Sequence, residues 1–306
     1  MLDARYWILD PPNHPRTEEY RVSRIKYRVS GPGTRFSLLV TIGFALVALS
    51  CGGGARHEAE PAVEAKHDGR SEAHWGYVGD EGPEHWGDLS PEFSLCREGV
   101  EQSPIDLTGA VPTTESAIER KVGDTVLTLD QRARVMDLVD NGHTIQVTND
   151  VPVALDMGGV HYELAQFHFH APSEHTIDGE HAPLEVHLVH KSADGRLAVI
   201  GVLIEEGEYD SLWDPIIGNL PDGPGDERRL EDLSLDMNEL RPLPKRYYRY
   251  QGSLTTPPCS ERVQWIVMAE KRQISREQMA TMVSHLHDNN RPVQPLGDRR
   301  IGLVSR

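Results

Sequence analysis

Cysteine is scarce in this chain, with three among 306 residues, at positions 51, 96 and 259. That is too few for a disulfide-rich mini-scaffold. Positive charge is scarce too. Lys and Arg number 31 against 48 Asp and Glu, a formal net charge of −17. So acidic a chain repels phosphate backbones, which excludes a nucleic-acid partner. No uninterrupted apolar run reaches the roughly 18 residues needed to cross a bilayer, which excludes a polytopic membrane protein. Aromatics at 6% and charged residues at 26% describe a globular protein, not a disordered or fibrous one. What the chain does have is histidine, 15 of them, and their placement carries the argument.

The first fifty residues read as a leader outside the fold. Phe36 to Ser50 (FSLLVTIGFALVALS) is a 15-residue block without charge, preceded by Arg24, Lys26, Arg28 and Arg35 and followed by Cys51. A basic region, a short apolar core and small residues before the break form the pattern of a secretory signal peptide. A cysteine directly after them resembles the lipobox of bacterial lipoproteins, with Ala48 where Leu is usual. The expectation is acylation of Cys51 and a lipid anchor as the only membrane contact. The acidic stretch ahead of Val22 is unlike a leader, so the expected start lies downstream, at Val22 or Val29. Residues 51–73 are Gly, Ala, Glu, Lys and His with little to bury, and read as a flexible tether.

Residues 74–306 read as one β-dominated domain with few short surface helices. Strand composition appears at Val126–Leu129, Thr144–Val147, Tyr162–His170, Leu184–His190, Leu197–Ile204 and Gln264–Met268. Asp194-Gly195 between two of these is a hairpin signal. Ser275 with Gln278 opens a capping box for a helix to about His287.

In Gln166-Phe167-His168-Phe169-His170, strand geometry places Gln166, His168 and His170 on one face and both phenylalanines on the other. Glu185-Val186-His187 alternates in the same way, 17 residues beyond. If the two strands pair, three imidazoles can face one pocket. Three histidines with an open fourth position make the ligand set of a catalytic zinc, with Gln166 and Glu185 as acceptors behind them. From the residues alone, a histidine-rich sheet without metal remains the other reading.

These segments belong to a longer series of motifs in order. It comprises HWGYVGDEGPEHWGDLS from His74, EQSPIDL from Glu101, NGHT from Asn141, QFHFH, SEHTIDG from Ser173, EVHLVH, SLTTPPCSE from Ser253, and NNRPVQPL from Asn289. The series resembles the bacterial α-class carbonic anhydrases over about residues 74–304. The resemblance implies a single domain built on a largely antiparallel twisted sheet of about ten strands, with zinc at the base of a conical cleft. It implies reversible hydration of carbon dioxide to bicarbonate and a proton, by attack of zinc-bound hydroxide.

Carried over by position, His168, His170 and His187 match the zinc ligands. Thr255 matches the hydroxyl that orients the hydroxide, and Glu174 its partner. Asn289 matches a residue whose backbone supports a ligand. Gln146, Val189, Val199, Leu254, Thr256, Val263 and Trp265 match the substrate cleft, and His143 the proton shuttle. Cys96 and Cys259 match a disulfide that bacterial members often carry, and export permits it. Ala182 and Arg262 depart from the family pattern, Arg262 standing where Gly is common. His175 reads as structural, and His161, His181, His190, His285 and His287 as satisfied or exposed side chains. The expected location is the periplasm or cell envelope, and a homodimer is left open. The alternatives are a non-catalytic binding module on this fold, whose members typically lose a zinc histidine, or a zinc esterase.

Overall fold

The computed structural model describes residues 73–113, 132–233, 235–240 and 246–305. The expected leader and tether through residue 72, with Cys51, and the strand expected at Val126–Leu129 lie outside the described residues. Among the described residues, no helix is long and apolar enough to cross a membrane.

Twelve strands form one mixed sheet: β1 (Val111–Thr113), β2 (Met136–Asp140), β3 (Ile145–Asn149), β4 (Ala154–Met157), β5 (Val160–His170), β6 (Leu184–Ser192), β7 (Leu197–Glu206), β8 (Glu227–Leu230), β9 (Arg246–Ser253), β10 (Glu261–Met268), β11 (Arg272–Ile274) and β12 (Gly302–Ser305). Their order is β1-β12-β9-β10-β7-β6-β5-β3-β2-β8, with β4 on β5 and β11 on β7. Three pairs are parallel, β1 with β12 and β7 with both β10 and β11; the rest are antiparallel.

Each expected strand among the described residues forms. The centre of the sheet is β7, LAVIGVLIEE, whose β-branched run suits a strand buried on both faces. Ala198, Ile200, Val202 and Ile204 enter the larger core, with Phe167 and Phe169 of β5 and Leu184, Val186 and Leu188 of β6. Val199 and Leu203 point the other way, into a second apolar cluster with Val263, Trp265 and Val267 of β10. That second face carries the histidines.

The β6–β7 hairpin turns at Asp194-Gly195, where Gly195 takes φ +87°, a conformation that favours glycine. Among the described residues, the one helix longer than a single turn, α1 (Arg276–Leu286), starts at a complete capping box of Ser275 and Gln278 and ends at His287 in a left-handed conformation. A disulfide joins Cys96 to Cys259 and packs with buried Trp86 and its neighbours Trp75, Tyr77 and Phe93.

Candidate metal centre

The paired strands align the histidines. In the β5–β6 ladder His168 lies directly opposite His187, and His170 opposite Glu185. The register shifts between Leu164 and Gln166, so Ala165 is an extra residue in β5. Because a one-residue slip exchanges the faces of a strand, this bulge decides which face of β6 the imidazoles meet. The ligand-capable nitrogens of His168, His170 and His187 lie within 4.8 Å of one another. Their ring centroids are 4.6–5.3 Å apart.

Two of the rings have one nitrogen hydrogen-bonded to an acceptor, and the third has one close to a carboxylate. His168 Nδ1 donates to Gln166 Oε1 at 2.8 Å, and His170 Nδ1 to the Asn289 carbonyl at 2.7 Å. His187 Nε2 lies 2.9 Å from Glu185 Oε1, off the alignment of a linear hydrogen bond. Each remaining nitrogen keeps its lone pair, and that of His170, Nε2, is buried without a partner. Burial holds all three imidazoles below their ordinary pKa, His170 at about 4, so the ring is neutral, the form that ligates metal. A neutral three-nitrogen set, buried at His170 and His187 and half-buried at His168, suits zinc with a fourth position open.

Glu185 is the hub of the support. Burial would raise its pKa, but His175 and His187 outweigh that and hold it well below the usual carboxylate range. Its Oε1 accepts from His175 Nδ1 at 2.7 Å, and its Oε2 from the backbone N–H groups of Glu174 and His175 at 2.8 and 2.9 Å. His175 Nε2 meets the Tyr250 hydroxyl at 2.7 Å, which meets Ser103 Oγ at 2.9 Å. His175, Glu185 and His187 also converge as a group, but these contacts occupy the atoms concerned. Gly201, opposite His187 in β7, leaves the room Glu185 needs, since a Cβ there would sit 2.8 Å from Oε1.

Glu174 is fully buried, and burial pushes its pKa up to about 7 against the opposing pull of His187, Thr255 and the Arg291 N–H. Its Oε1 accepts from Arg291 N at 2.9 Å. Thr255 is close enough to stabilise the ionised carboxyl, without an aligned hydrogen bond to Oε2. The Arg291 guanidinium is buried and donates to Gln102 Oε1 and to the Ser103 and Cys96 carbonyls at 2.8–2.9 Å. It joins the disulfide segment to the backbone that holds Glu174.

Val189, Val199, Leu254, Val263 and Trp265 gather in one apolar cluster. Trp265 sets its ring 4.8 Å from that of His187 and donates to the Ser253 carbonyl. Gln146 pairs with His168 across β3 and β5. Thr256 accepts from Cys259 N, so the disulfide closes the loop that carries Thr255. His143 sits in the β2–β3 turn, where Asn141 Oδ1 accepts from the N–H groups of His143 and Thr144. Its ring stacks on Trp75 at 3.7 Å, and Asn289 Nδ2 donates to its carbonyl.

His175 does have a structural place, but one that reaches the converging histidines through Glu185. Its link through Tyr250 to Ser103, the clearance at Gly201 and the Trp75 stack are not readable from the motifs. Only the glycine leaves a trace, as the one break in the apolar run of β7.

A family model described as eukaryotic-type carbonic anhydrase matches residues 81–304. A carbonic anhydrase of Nostoc sp. is 41% identical over 228 residues, 74% of this chain and 84% of the relative. Among solved structures, a hyperthermostable carbonic anhydrase from a hydrothermal vent chimney is 42% identical, with a TM-score of 0.66 over 76% of this chain and all of that one. Dioscorin complexed with ascorbate shares the fold at 31% identity and a TM-score of 0.66, over 76% of this chain and 98% of its own. The match runs from just after the first tryptophans to the last strand, and the chain therefore belongs to the eukaryotic-type, α-class carbonic anhydrase family.

Proposed function

We propose that this protein is a zinc enzyme that reversibly hydrates carbon dioxide to bicarbonate and a proton. One observation carries the reading: His168 and His170 each have one nitrogen hydrogen-bonded to an acceptor, His187 Nε2 lies beside Glu185 Oε1, and ligand-capable nitrogens of all three rings lie within 4.8 Å of one another. His168 Nε2, His170 Nε2 and His187 Nδ1 would hold the zinc. When bound, zinc supplies Lewis acidity that ionises water near neutral pH, as documented for carbonic anhydrases.

The remaining work falls to side chains. A hydroxyl has one proton, so Thr255, when it turns that proton toward Glu174 in a hydrogen bond, has only lone pairs to offer the attacking oxygen and can only accept from it. Val189, Val199, Leu254, Val263 and Trp265 exclude water and seat a small substrate without a net dipole, with Gln146 and Thr256 at the cleft wall. His143 accepts the released proton and passes it to solvent, a task suited to imidazole near neutral pH. The intact histidine set, with Thr255 and Glu174, favours this reading over a binding module on the same fold.

The disulfide supports export, because such bonds persist in oxidising compartments. Within this proposal residues 1–50 are the leader, 51–73 the tether after a lipidated Cys51, and 74–306 the catalytic domain, anchored in the cell envelope or periplasm.

The test is stopped-flow hydration with a pH indicator on purified protein, before and after zinc removal by a chelator. Activity should vanish with the metal and return on its restoration. Thr255→Ala and Glu174→Gln should each slow hydration by about 10²–10³ while zinc stays stoichiometric. Full activity in the metal-free protein, or no effect of either substitution, refutes the assignment.

A further inference from the structure

A cavity of about 380 Å³ opens beside the shuttle turn, and its wall carries three imidazoles: His143, His285 and His287. Tyr77, Asp140, Asp222 and Asn289 complete the wall that matters here. Such a volume is ample for a chain of water molecules. Hydrogen bonds of Asn289 link the cavity wall to the metal centre. Asn289 lines it, clasps the His143 carbonyl through Nδ2, and offers its own carbonyl to His170 Nδ1.

The two outer histidines are arranged to take charge. His285 Nδ1 meets the Thr281 carbonyl at 2.9 Å and Ser284 Oγ at 3.2 Å, while Ser284 Oγ gives its own proton to Thr281. Both contacts are therefore acceptors. Nδ1 carries the hydrogen, and Nε2 is left with a lone pair. His285 and His287 occupy the last turn and C-cap of α1, where the helix dipole favours a cation. Asp140 and Asp222 add negative charge on the wall, although Asp222 also pairs with Arg228 at 2.6 Å.

We propose that His285 and His287 form the outer stage of the proton path, receiving through cavity water the proton that His143 carries from the metal centre. The inference rests on the shuttle reading of His143. In the transfer, an N–H bond of the His143 imidazolium breaks. Each intervening water accepts one proton and gives up another, and a new N–H bond forms at His285 Nε2 or on His287. Release to buffer regenerates the neutral ring, so protons balance and no oxidant or reductant enters. Three imidazoles around one water-filled space offer buffer a wider target than one ring stacked on Trp75.

The test uses the zinc-loaded full chain with His285→Gln and His287→Asn combined. Gln preserves the helix, and Asn tolerates the left-handed backbone at 287. The maximal hydration rate in dilute buffer should fall several-fold, up to about tenfold, less than the 10²–10³ or more typical of a direct proton acceptor. kcat/KM should be unchanged, and concentrated imidazole should restore the rate. A second readout does not use turnover. The imidazole N–H protons of His143, followed by NMR in dilute buffer, should exchange with solvent more slowly in the double variant. His74, Asp140 and Asp222 remain in place in both proteins.

An unchanged rate in dilute buffer overturns the relay, as does a parallel loss of kcat/KM or a His143 proton exchange indifferent to the double substitution. His143→Ala alone separates the two levels. If it too leaves the dilute-buffer rate intact, the shuttle reading fails; if it slows the enzyme while the double variant does not, only the outer stage fails.

Discussion

Replacing Glu185 by Gln changes almost nothing in volume and everything in hydrogen-bond polarity. The carboxylate receives four contacts: two backbone N–H groups at Oε2, His175 Nδ1 at Oε1, and His187 Nε2 2.9 Å from Oε1. Glutamine can place its oxygen at only one of the two positions. The backbone donors cannot change, so the oxygen must go there and the NH₂ must face the imidazoles. Both rings then have to accept where they donated. His187 moves its proton from Nε2 to Nδ1, the nitrogen needed for zinc. His175 and Tyr250 can follow, because a hydroxyl rotates to either role. The expected result is a folded protein with a damaged metal centre. Loss of charge-assisted contacts should cost about 1.5–3 kcal/mol of stability, and zinc affinity should fall about 10–100-fold, as is typical when a group behind a metal-bound histidine is replaced. Competition against a chromophoric chelator measures the affinity, and thermal unfolding of the metal-free protein the stability. Wild-type affinity in the Gln variant would show that Glu185 does not set the His187 tautomer.

Three further outcomes are expected. Reduction of Cys96–Cys259, or its replacement by two serines, removes a closure spanning 163 residues, worth about 5 kcal/mol in the chain-entropy account. The melting temperature should drop by roughly 10–20 °C, and a change below 3 °C would contradict that value. Arg262→Gly should stabilise the protein. Arg262 is exposed, holds φ +67°, and is the extra residue where the β9–β10 register shifts. Relief of about 1–2 kcal/mol of left-handed strain exceeds the entropy cost of glycine, about 0.5–1 kcal/mol; a lower melting temperature would refute the strain. For His143, burial first and the neighbouring His74 second lower the pKa from 6.5. A base must be unprotonated to accept, so the dilute-buffer rate should rise with pH through a midpoint below 6.5. His74→Gln should move that midpoint upward, and an unmoved profile would exclude His74 as a neighbour.

The sequence is legible wherever strand periodicity does the work. QFHFH and EVH commit their histidines to one face because side chains alternate, so the grouping of the three imidazoles with Gln166 and Glu185 beside them could be read without coordinates. Asp194-Gly195 and the Ser275–Gln278 box are equally local. The register is not, because the bulge at Ala165 leaves no signal of its own and yet decides that His168 meets His187. Nor can periodicity find the network behind the metal centre, where Ser103 and Tyr250 are 147 residues apart. Short edge strands such as Arg272–Ile274 explain why the sheet has twelve strands where about ten were expected. Three residues give no pattern, and their pairing with β7 supplies one. Arg262 is a position where a departure from the family pattern can be matched to a backbone conformation.

Asn289 also bears on when this protein can acquire its metal. His168, His170 and His187 enter the sheet through neighbouring strands early in the domain, but the carbonyl that fixes His170 arrives 119 residues later. The same residue binds the Ala171 N–H and the Phe169 carbonyl, stitching the end of β5 from outside. A chain emerging N-terminus first therefore exposes histidines well before the last of their orientation is in place. Tight zinc capture belongs to the end of folding. If the chain is exported as proposed, this places cofactor loading in the destination compartment.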